Sequence, residues 1–479
     1  MIVRSIAVSN FKSFSEEVKL PLKGLNVLTG INSTGKTTLL QALLLLKQTF
    51  EEKHPQLMLD GPYVSLGSFK EIVYNYDIDK EITFTLEISY DLQEQNYKHS
   101  FINRIHKFVN RITSEPRRVD LLLSFGFKEI QDEICVSTYK VTYKIHTKSG
   151  RCVKSKLKVK RLSSGKYDIT IENEPEEIKN ANRFSEKNFS NCEVEFSGLF
   201  PIEFHGIFRG YTGNYGQIPS FYSHAVSDLI AYALQQVSYI GPLRGEPQRL
   251  YQYTNVPKQM DRSGHYAAYF FNKEKNKPIT YFTSPTAEQK EGTLAEAVNH
   301  WLSEQFKITQ EANTDQLHEK VLHVYLTAGT ESELPVNLAG VGFGIGQLLP
   351  IIVEGLRLPQ GSLFIIEQPE VHLHPYAQSV LGDFMLCLAR KGVSVIVETH
   401  SDHMIHRLRR RIVEDAQGKM QEQIGMFFVV NPGGKGAKLQ ELIIDELGII
   451  QNWPPGFFDQ SEKELKELFK AQMERRRRG

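Results

Sequence analysis

The chain has 479 residues, 41% hydrophobic and 24% charged, with a formal net charge of +1. That is an ordinary globular composition, long enough for two or three domains or for one core with a large insertion. A balance this close to zero excludes bulk attraction to polyanions, so any nucleic-acid contact has to come from local clustering. The four cysteines, Cys135, Cys152, Cys192 and Cys387, lie far apart and form no CxxC pair. That argues against a zinc knuckle or a disulfide framework and fits a reducing compartment.

The N-terminus, Met1-Ile2-Val3-Arg4-Ser5-Ile6, lacks the long apolar stretch of a signal peptide. The most apolar run, 39–46, contains Gln41 and is too short to span a bilayer. The expectation is a cytoplasmic protein without membrane contact. Residues 2–8 alternate into a strand, and 25–29 form a second. A glycine-rich loop follows, and 37–48 read as a helix. From 80 to 200 the character changes, and 83–88, 121–125, 139–145 and 167–171 look like antiparallel strands. Residues 220–238 and 286–307 look helical. The apolar runs 363–366 and 393–397 lack polar alternation, as strands buried on both faces do. A helix over 377–390 between them makes a βαβ unit. The predicted division is 1–79 and 326–430 as two parts of one nucleotide-binding head, 80–215 as a β-rich insertion, 216–325 as a helical subdomain and 431–479 as a C-terminal module.

Gly30-Ile31-Asn32-Ser33-Thr34-Gly35-Lys36-Thr37 matches the Walker A pattern GxxxxGK[ST] in full. Gly30 and Gly35 let the backbone turn so that the N–H groups of Asn32, Ser33, Thr34 and Thr38 can point at phosphates. Lys36 would reach the β- and γ-phosphates and the Thr37 hydroxyl would bind Mg²⁺. The helix behind the loop offers its positive end to the same anion. The alternative is a chance glycine-rich turn, which the strand before and the helix after argue against. The second half of such a site is an acidic residue ending a buried strand. Leu363-Phe364-Ile365-Ile366-Glu367-Gln368-Pro369-Glu370 supplies one in Glu367, expected to share the metal with Thr37. Gly340-Val341-Gly342-Phe343-Gly344-Ile345-Gly346-Gln347 is a second glycine-rich loop before an apolar helix, and so a second anion site. Glu398-Thr399-His400-Ser401 follows the last buried strand. A close-packing turn and a satisfied core histidine are the plainer readings of these two. Their order along the chain is the one a composite nucleotide site demands, and the functional reading is preferred.

In the β-rich segment, Lys140, Lys144 and His146 alternate with apolar residues. After the turn at Lys148-Ser149-Gly150, Lys154, Lys156, Lys158 and Lys160 do the same. Period two puts these cations on one face of a hairpin. The functional reading is a contact with DNA, RNA or an acidic partner. The competing reading is a solvated face whose lysines protect a sheet edge. The run Arg475–478 is read as a disordered basic end.

These blocks resemble the ABC-type ATPases of the RecF, structural-maintenance-of-chromosomes and overcoming-lysogenization-defect group. Within it, the chain is similar to the ATPases of bacterial anti-phage systems such as Septu, PARIS and Gabija. The residues that carry the likeness are Ser9-Asn10-Phe11-Lys12-Ser13-Phe14, the loop 30–37, the signature-like 342–347, Glu367 to Pro375 and Glu398 to Ser401. Residues 452–459 resemble a C-terminal module of the subgroup, and Ile240-Gly241-Pro242-Leu243-Arg244 a motif without assigned chemistry. The likeness implies an α/β fold, an ABC-type P-loop head split in sequence, with an antiparallel β-rich insertion and a helical subdomain. It also implies ATP and Mg²⁺ as cofactors. By position, Glu367 takes the Walker-B place, Gln368 that of the catalytic carboxylate and His400 that of the switch histidine. Gly344, Gly346 and Gln347 would cap the nucleotide of a second copy, and His372 and His374 lie in the loop that crosses to it. Metal binding by His372, His374 and Glu370 is a rival idea. A Gln can orient water but cannot accept its proton, so hydrolysis is expected to be slow. The implied function is an ATPase that dimerises, or assembles further, on nucleotide and controls a partner nuclease in anti-phage defence. The chain carries no nuclease motif of its own. The alternatives are a RecF/SMC-like DNA-repair or chromosome-associated ATPase, and a sensor that binds ATP without hydrolysing it.

Overall fold

The computed structural model describes residues 2–31, 34–52, 56–92, 115–174, 187–205, 216–218, 222–253, 257–309, 311–327, 335–431, 435–454 and 460–478, with residues 103, 105–107, 109–110, 113 and 255. Asn32, Ser33 and 455–459 therefore lie outside the described residues.

The centre is a six-stranded sheet in the order β12 (Val237–Ile240), β19 (Leu363–Glu367), β20 (Ser394–Glu398), β3 (Leu25–Gly30), β21 (Ile424–Val430) and β22 (Lys438–Leu442). All neighbours are parallel except the hairpin of β21 and β22. Every residue of β3 and β19 is buried, which is why these strands read as unbroken apolar runs. Side chains alternate between two cores. Leu28, Ile365 and Ile396 face α1 (Lys36–Glu51) and α2 (His224–Gln235). Val27, Phe364 and Val397 face α3 (Ala267–Glu274), α4 (Leu294–His300), α5 (Phe343–Arg357), α6 (Pro375–Lys391) and α7 (Asp402–Glu414). A last helix, α8, runs over Gln460–Arg478.

Over α1 and α2 lies a ten-stranded sheet, β11 (Gly216–Gln217), β10 (Phe200–His205), β9 (Lys187–Ser197), β8 (Tyr167–Glu174), β7 (Cys152–Arg161), β6 (Glu133–Thr147), β5 (Pro116–Ile130), β4 (Ile82–Asp91), β1 (Ile2–Ser9) and β2 (Val18–Pro21), in that order. Its apolar face packs on the helices, as in the contacts of Phe50 with Phe125 and Phe200. α1 is thus enclosed between two sheets, which explains its near-continuous apolar sequence. Even Lys47 is buried there, paired with Glu51 at 2.5 Å and donating to Leu234 O at 3.0 Å.

The expected α/β P-loop ATPase head with its β-rich segment is what the chain builds, with four differences. First, the β-rich segment is no detached insertion, because β4 pairs with β1 from Ser9↔Thr83 to Ile2↔Ser89 and continues the head's own sheet. Second, 216–325 is not simply helical. Val237–Ile240 leaves the helix to become the edge strand of the central sheet. Residues 289–293 form β15 (Gln289–Thr293) against β14 (Pro278–Phe282). The helix after it starts only at the capping box of Thr293 and Glu296 (2.8 and 3.2 Å). A small sheet of β13 (Tyr251–Gln252), β16 (Glu311–His318), β17 (Val321–Thr327) and β18 (Pro335–Asn337) completes this part. Third, a boundary at 431 would cut the β21–β22 hairpin. Fourth, the basic end, expected to be disordered, belongs to α8. Among the described residues no helix is long and apolar enough to cross a membrane.

Candidate nucleotide site

The loop between β3 and α1 is shaped by glycine. Gly30 has φ 147°, and a Cβ there would come within 2.8 Å of Val429 O. Gly35 has φ 106° and caps α1, and a Cβ there would overlap Ser13 Oγ. Both positions need the left-handed region and the missing side chain. Thr34 Oγ1 donates to Ile31 O at 2.8 Å and tightens the turn. Lys36, only 4% exposed, folds back so that Nζ donates to Gly30 O (3.1 Å) and Ile31 O (2.8 Å). Burial lowers its pKa, opposed by the carboxylate of Glu398.

Two further strand ends lie beside this loop. Parallel pairing sets Glu367 of β19 beside Glu398 of β20, and Glu398 beside Leu28 of β3. Thr37 Oγ1 donates to both oxygens of Glu398, at 2.9 and 3.1 Å. Glu367 accepts from the Tyr239 hydroxyl at 3.0 Å. Burial, with Glu398 beside it, pushes the Glu367 carboxyl up to about 7. Burial also raises Glu398, against the pull of Thr37 and Lys36. Gln368, at φ 43°, donates its N–H to Glu398 O at 2.7 Å and so locks the two strand ends together. The N–H of His400 donates to Glu370 Oε1 at 2.6 Å. Burial lowers the His400 pKa, and so does Lys36, both favouring the neutral ring.

Gly35, Lys36, Thr37, Thr38, Gln368 and His400, all singled out in the sequence, line one cavity of about 450 Å³. Glu398 also lines it, with Lys12 and Ser13 from the chain before β2. Glu367 ends the neighbouring strand but is not among the lining residues. Lys12 and Ser13 belong to the block 9–14, which sequence alone left without a chemical role.

Gly344, Gly346 and Gln347 do not reach this cavity. They sit in the first turns of α5, packed on their own chain. A Cβ on Gly344 would stand 3.2 Å from His372 O, and one on Gly346 would overlap Pro247. Gln347 Oε1 accepts from Arg244 Nε at 2.9 Å. That arginine, 6% exposed, also donates to Gln368 O (3.0 Å), Glu367 O (3.3 Å) and Gly241 O (3.4 Å). The motif at 240–244 thus has a structural task. It ties the signature-like helix to the tip of β19, a link between residues more than a hundred positions apart.

His374 caps α6, its Nδ1 accepting from Tyr376 N at 3.3 Å. Among the described residues no group of three or more His, Cys, Asp or Glu is arranged to hold a metal ion, so His372, His374 and Glu370 are not brought together as one ligand set. Lys154, Lys156, Lys158 and Lys160 lie on β7 with buried residues alternating between them. β7 is an interior strand, between β6 and β8, so protection of a sheet edge is not their task. Lys158 faces Lys140 and Lys154 faces Lys144 on β6. On the other side Lys156 pairs with Glu172 at 3.0 Å, and Lys160 stands opposite Asp168.

A family model described as AAA ATPase domain matches residues 1–405, and one described as a protein of unknown function (DUF3696) matches 420–468. No curated protein matches the chain. Among solved structures, an SMC head domain from Thermotoga maritima aligns at 10% identity and TM-score 0.36, over 93% of this chain and 100% of that one. An SMC head bound to the C-terminal winged-helix domain of ScpA aligns at 11% and 0.40, over 92% and 98%. An Smc head with an extended coiled coil bound to the C-terminal domain of ScpA, derived from Pyrococcus furiosus, aligns at 12% and 0.35, over 98% and 99%.

Proposed function

The chain belongs to the AAA ATPase domain family, and from that premise we propose that it binds ATP with Mg²⁺ at the β3–α1 loop, hydrolyses it slowly, and dimerises on the nucleotide to control a partner nuclease in bacterial anti-phage defence. The observation that carries the ATPase reading is the meeting of Lys36, Thr37, Gln368, Glu398 and His400 around one cavity. The residues fit the ligand. The glycines let the turn pass close to Val429 and Ser13. The first N–H groups of a helix have no acceptor four residues back, so those of α1 can meet phosphate oxygens. Lys36 supplies charge to the outer phosphates. The donors at the cavity are hard oxygens, the Thr37 hydroxyl and the Glu398 carboxylate, as Mg²⁺ requires, and the bound cation would neutralise charge on the outer phosphates. The Gln368 side chain lines the cavity and can orient a water without taking its proton. His400, in its neutral form, can donate one hydrogen bond to a terminal phosphate.

Dimerisation is supported by what the cavity lacks among the described residues. Gly344, Gly346 and Gln347 are not among the residues that line their own P-loop cavity, as expected of a loop serving a neighbour's nucleotide. Two copies related by a twofold axis would then complete two equivalent sites. The role in defence rests on the sequence blocks alone, which resemble those of anti-phage ATPases.

Lys36→Ala tests the reading. It removes the ammonium that neutralises the outer phosphates, and ATP affinity of the purified protein should fall at least tenfold, about 1.4 kcal/mol. Sedimentation with ATP should show a dimer for the wild type and a monomer for the variant. Phage plating on cells that carry the gene with its neighbours should lose protection with it. Unchanged ATP affinity would remove the site, and a wild type that stays monomeric with ATP would remove the dimer.

A further inference from the structure

Two carboxylates end adjacent strands, Glu367 on β19 and Glu398 on β20, paired in register. Position along the motif gives the metal to Glu367. The geometry points to the other, and we propose that Glu398 is the carboxylate that meets the divalent cation of the bound nucleotide, while Tyr239 holds Glu367 back. The proposal rests on the nucleotide-site reading above and names the ligand within it.

Strand order is the first argument. β20 neighbours β3 directly, and β19 lies one strand further out. At about 4.8 Å per strand, Glu398 starts one step from the P-loop strand and Glu367 two. Accordingly Glu398 lines the cavity with Thr37 and Lys36, and Glu367 does not.

The contact with Thr37 is the second. Its hydroxyl is the P-loop group expected at the metal, and it lies 2.9 and 3.1 Å from the two oxygens of Glu398. In an octahedral Mg²⁺ shell with bonds of about 2.0–2.1 Å, neighbouring ligand oxygens stand about 2.9 Å apart. The hydroxyl and the carboxylate already have the spacing of two adjacent ligands. One carboxylate, one hydroxyl, phosphate oxygens and waters make a complete set for this ion.

Glu367 is engaged elsewhere, which is the third argument. The Tyr239 hydroxyl donates to its Oε1 at 3.0 Å from β12, on the side away from β20 and the loop. The carboxylate is 6% exposed and drawn toward the outer edge of the sheet. Two like charges side by side on neighbouring strands also oppose each other, and a cation on Glu398 relieves that without a second ligand from Glu367.

The experiment titrates Mn²⁺ into the full-length protein with ATP and reads bound metal by electron paramagnetic resonance. It compares wild type, Glu398→Gln and Glu367→Gln, with ATP affinity in EDTA measured in parallel. Gln keeps the length of Glu and an acceptor for Thr37, so the fold should be spared, and thermal melts check this. Glu398→Gln should raise the half-saturating Mn²⁺ concentration tenfold or more, since even outer-shell changes cost about 10–100-fold. Glu367→Gln should raise it by less. In EDTA, Glu398→Gln should bind ATP as well as the wild type or better, having lost a repelling charge. If the Gln variant melts early, Glu398→Asp replaces it, and its carboxylate, one methylene short, should still raise half-saturation. Wild-type metal dependence in the folded Glu398 variant, or an equal or larger shift from Glu367→Gln, overturns the proposal. A wild type that binds ATP neither with metal nor without it overturns the nucleotide site itself, which is a different failure.

Discussion

Replacing Arg244 with Met should cost the fold about 2–4 kcal/mol and loosen the signature-like helix at the same time. Two of its four hydrogen bonds are well formed, to Gln347 Oε1 at 2.9 Å and to Gln368 O at 3.0 Å. Bonds from a charged donor contribute about 1.5–3 kcal/mol each, so these two give about 3–6 kcal/mol before the guanidinium's own desolvation is subtracted. That desolvation is substantial, because burial pushes the guanidinium down to about 10, against the pull of Glu370. Met preserves most of the stem volume, so little of the loss comes from a cavity. Most of it comes from the Gln347 amide oxygen and the carbonyl of 367, which lose the arginine donor, while the carbonyl of 368 keeps only the long bond from Val371 N at 3.4 Å. Urea unfolding measures the loss. The assay that isolates the link is a double-mutant cycle of Arg244→Met with Gln347→Ala. Contacting residues of this kind couple by about 0.5–3 kcal/mol, whereas independent sites add. A loss under about 1 kcal/mol for Arg244→Met, or additivity within about 0.5 kcal/mol, would refute the reasoning.

Hydrolysis by the wild type should run well below the usual enzyme median of about 10 per second, and Gln368→Glu should raise it by placing a proton acceptor in the cavity wall. A fast wild type indifferent to that change would show that another group takes the proton. Glu367 sets a pH dependence. Its folded pKa, about 7, lies above the ordinary 4.5, so its ionisation destabilises the fold progressively as pH rises through that window. Glu367→Gln should melt close to the wild type at pH 4 and above it at pH 8, with a residual slope from Glu370 and Glu398, raised in the same sense. Equal melting temperatures at pH 8 would place Glu367 in a less costly environment. Changing Lys154, Lys156, Lys158 and Lys160 to Ser should leave ATP binding intact, weaken binding to a polyanion and flatten its salt dependence by about 0.7–0.9 log units for each phosphate no longer neutralised. Full retention at low salt would mean the lysines serve only their partners on β8.

The nucleotide loop was legible because its glycines, lysine and threonine act within eight consecutive residues between a buried strand and a helix. Gln368 and His400 were legible because each follows an unbroken apolar run that can only be a buried strand. The role of Glu398 was harder to see, since nothing in Glu398-Thr399-His400-Ser401 says that its strand lies between those of Glu367 and Gly30. The chemistry of Arg244 was out of reach for a similar reason, because three of its four partners, at 347, 367 and 368, stand 103 to 124 positions away. In the β-rich segment, period two gave the strands and the lysine face. The pairing of β1 with β4 and the interior place of β7 are long-range facts that alternation does not encode. Residues 286–307 show the opposite fault, since their helical spacing hid a short hairpin strand that only the Thr293 and Glu296 cap marks off.

The glycines of the second loop meet the demand of close packing, and the proposed dimer would add service to a nucleotide. A Cβ at Gly346 would overlap Pro247, and one at Gly344 would crowd the His372 carbonyl at 3.2 Å. Those contacts set α5 against Pro247 and His372, and Arg244 joins α5 to the β19 tip through Gln347 and Gln368. The N–H of Gln368 in turn holds the Glu398 carbonyl, and the Glu398 side chain holds Thr37. A ligand that pulls on 342–347 from outside therefore pulls on this chain's own metal-side residues through one short chain of bonds. In the proposed dimer, the nucleotide held by one copy is that outside ligand for the other. The two sites would then respond to each other even though, among the described residues, none of 342–347 lines its own P-loop cavity.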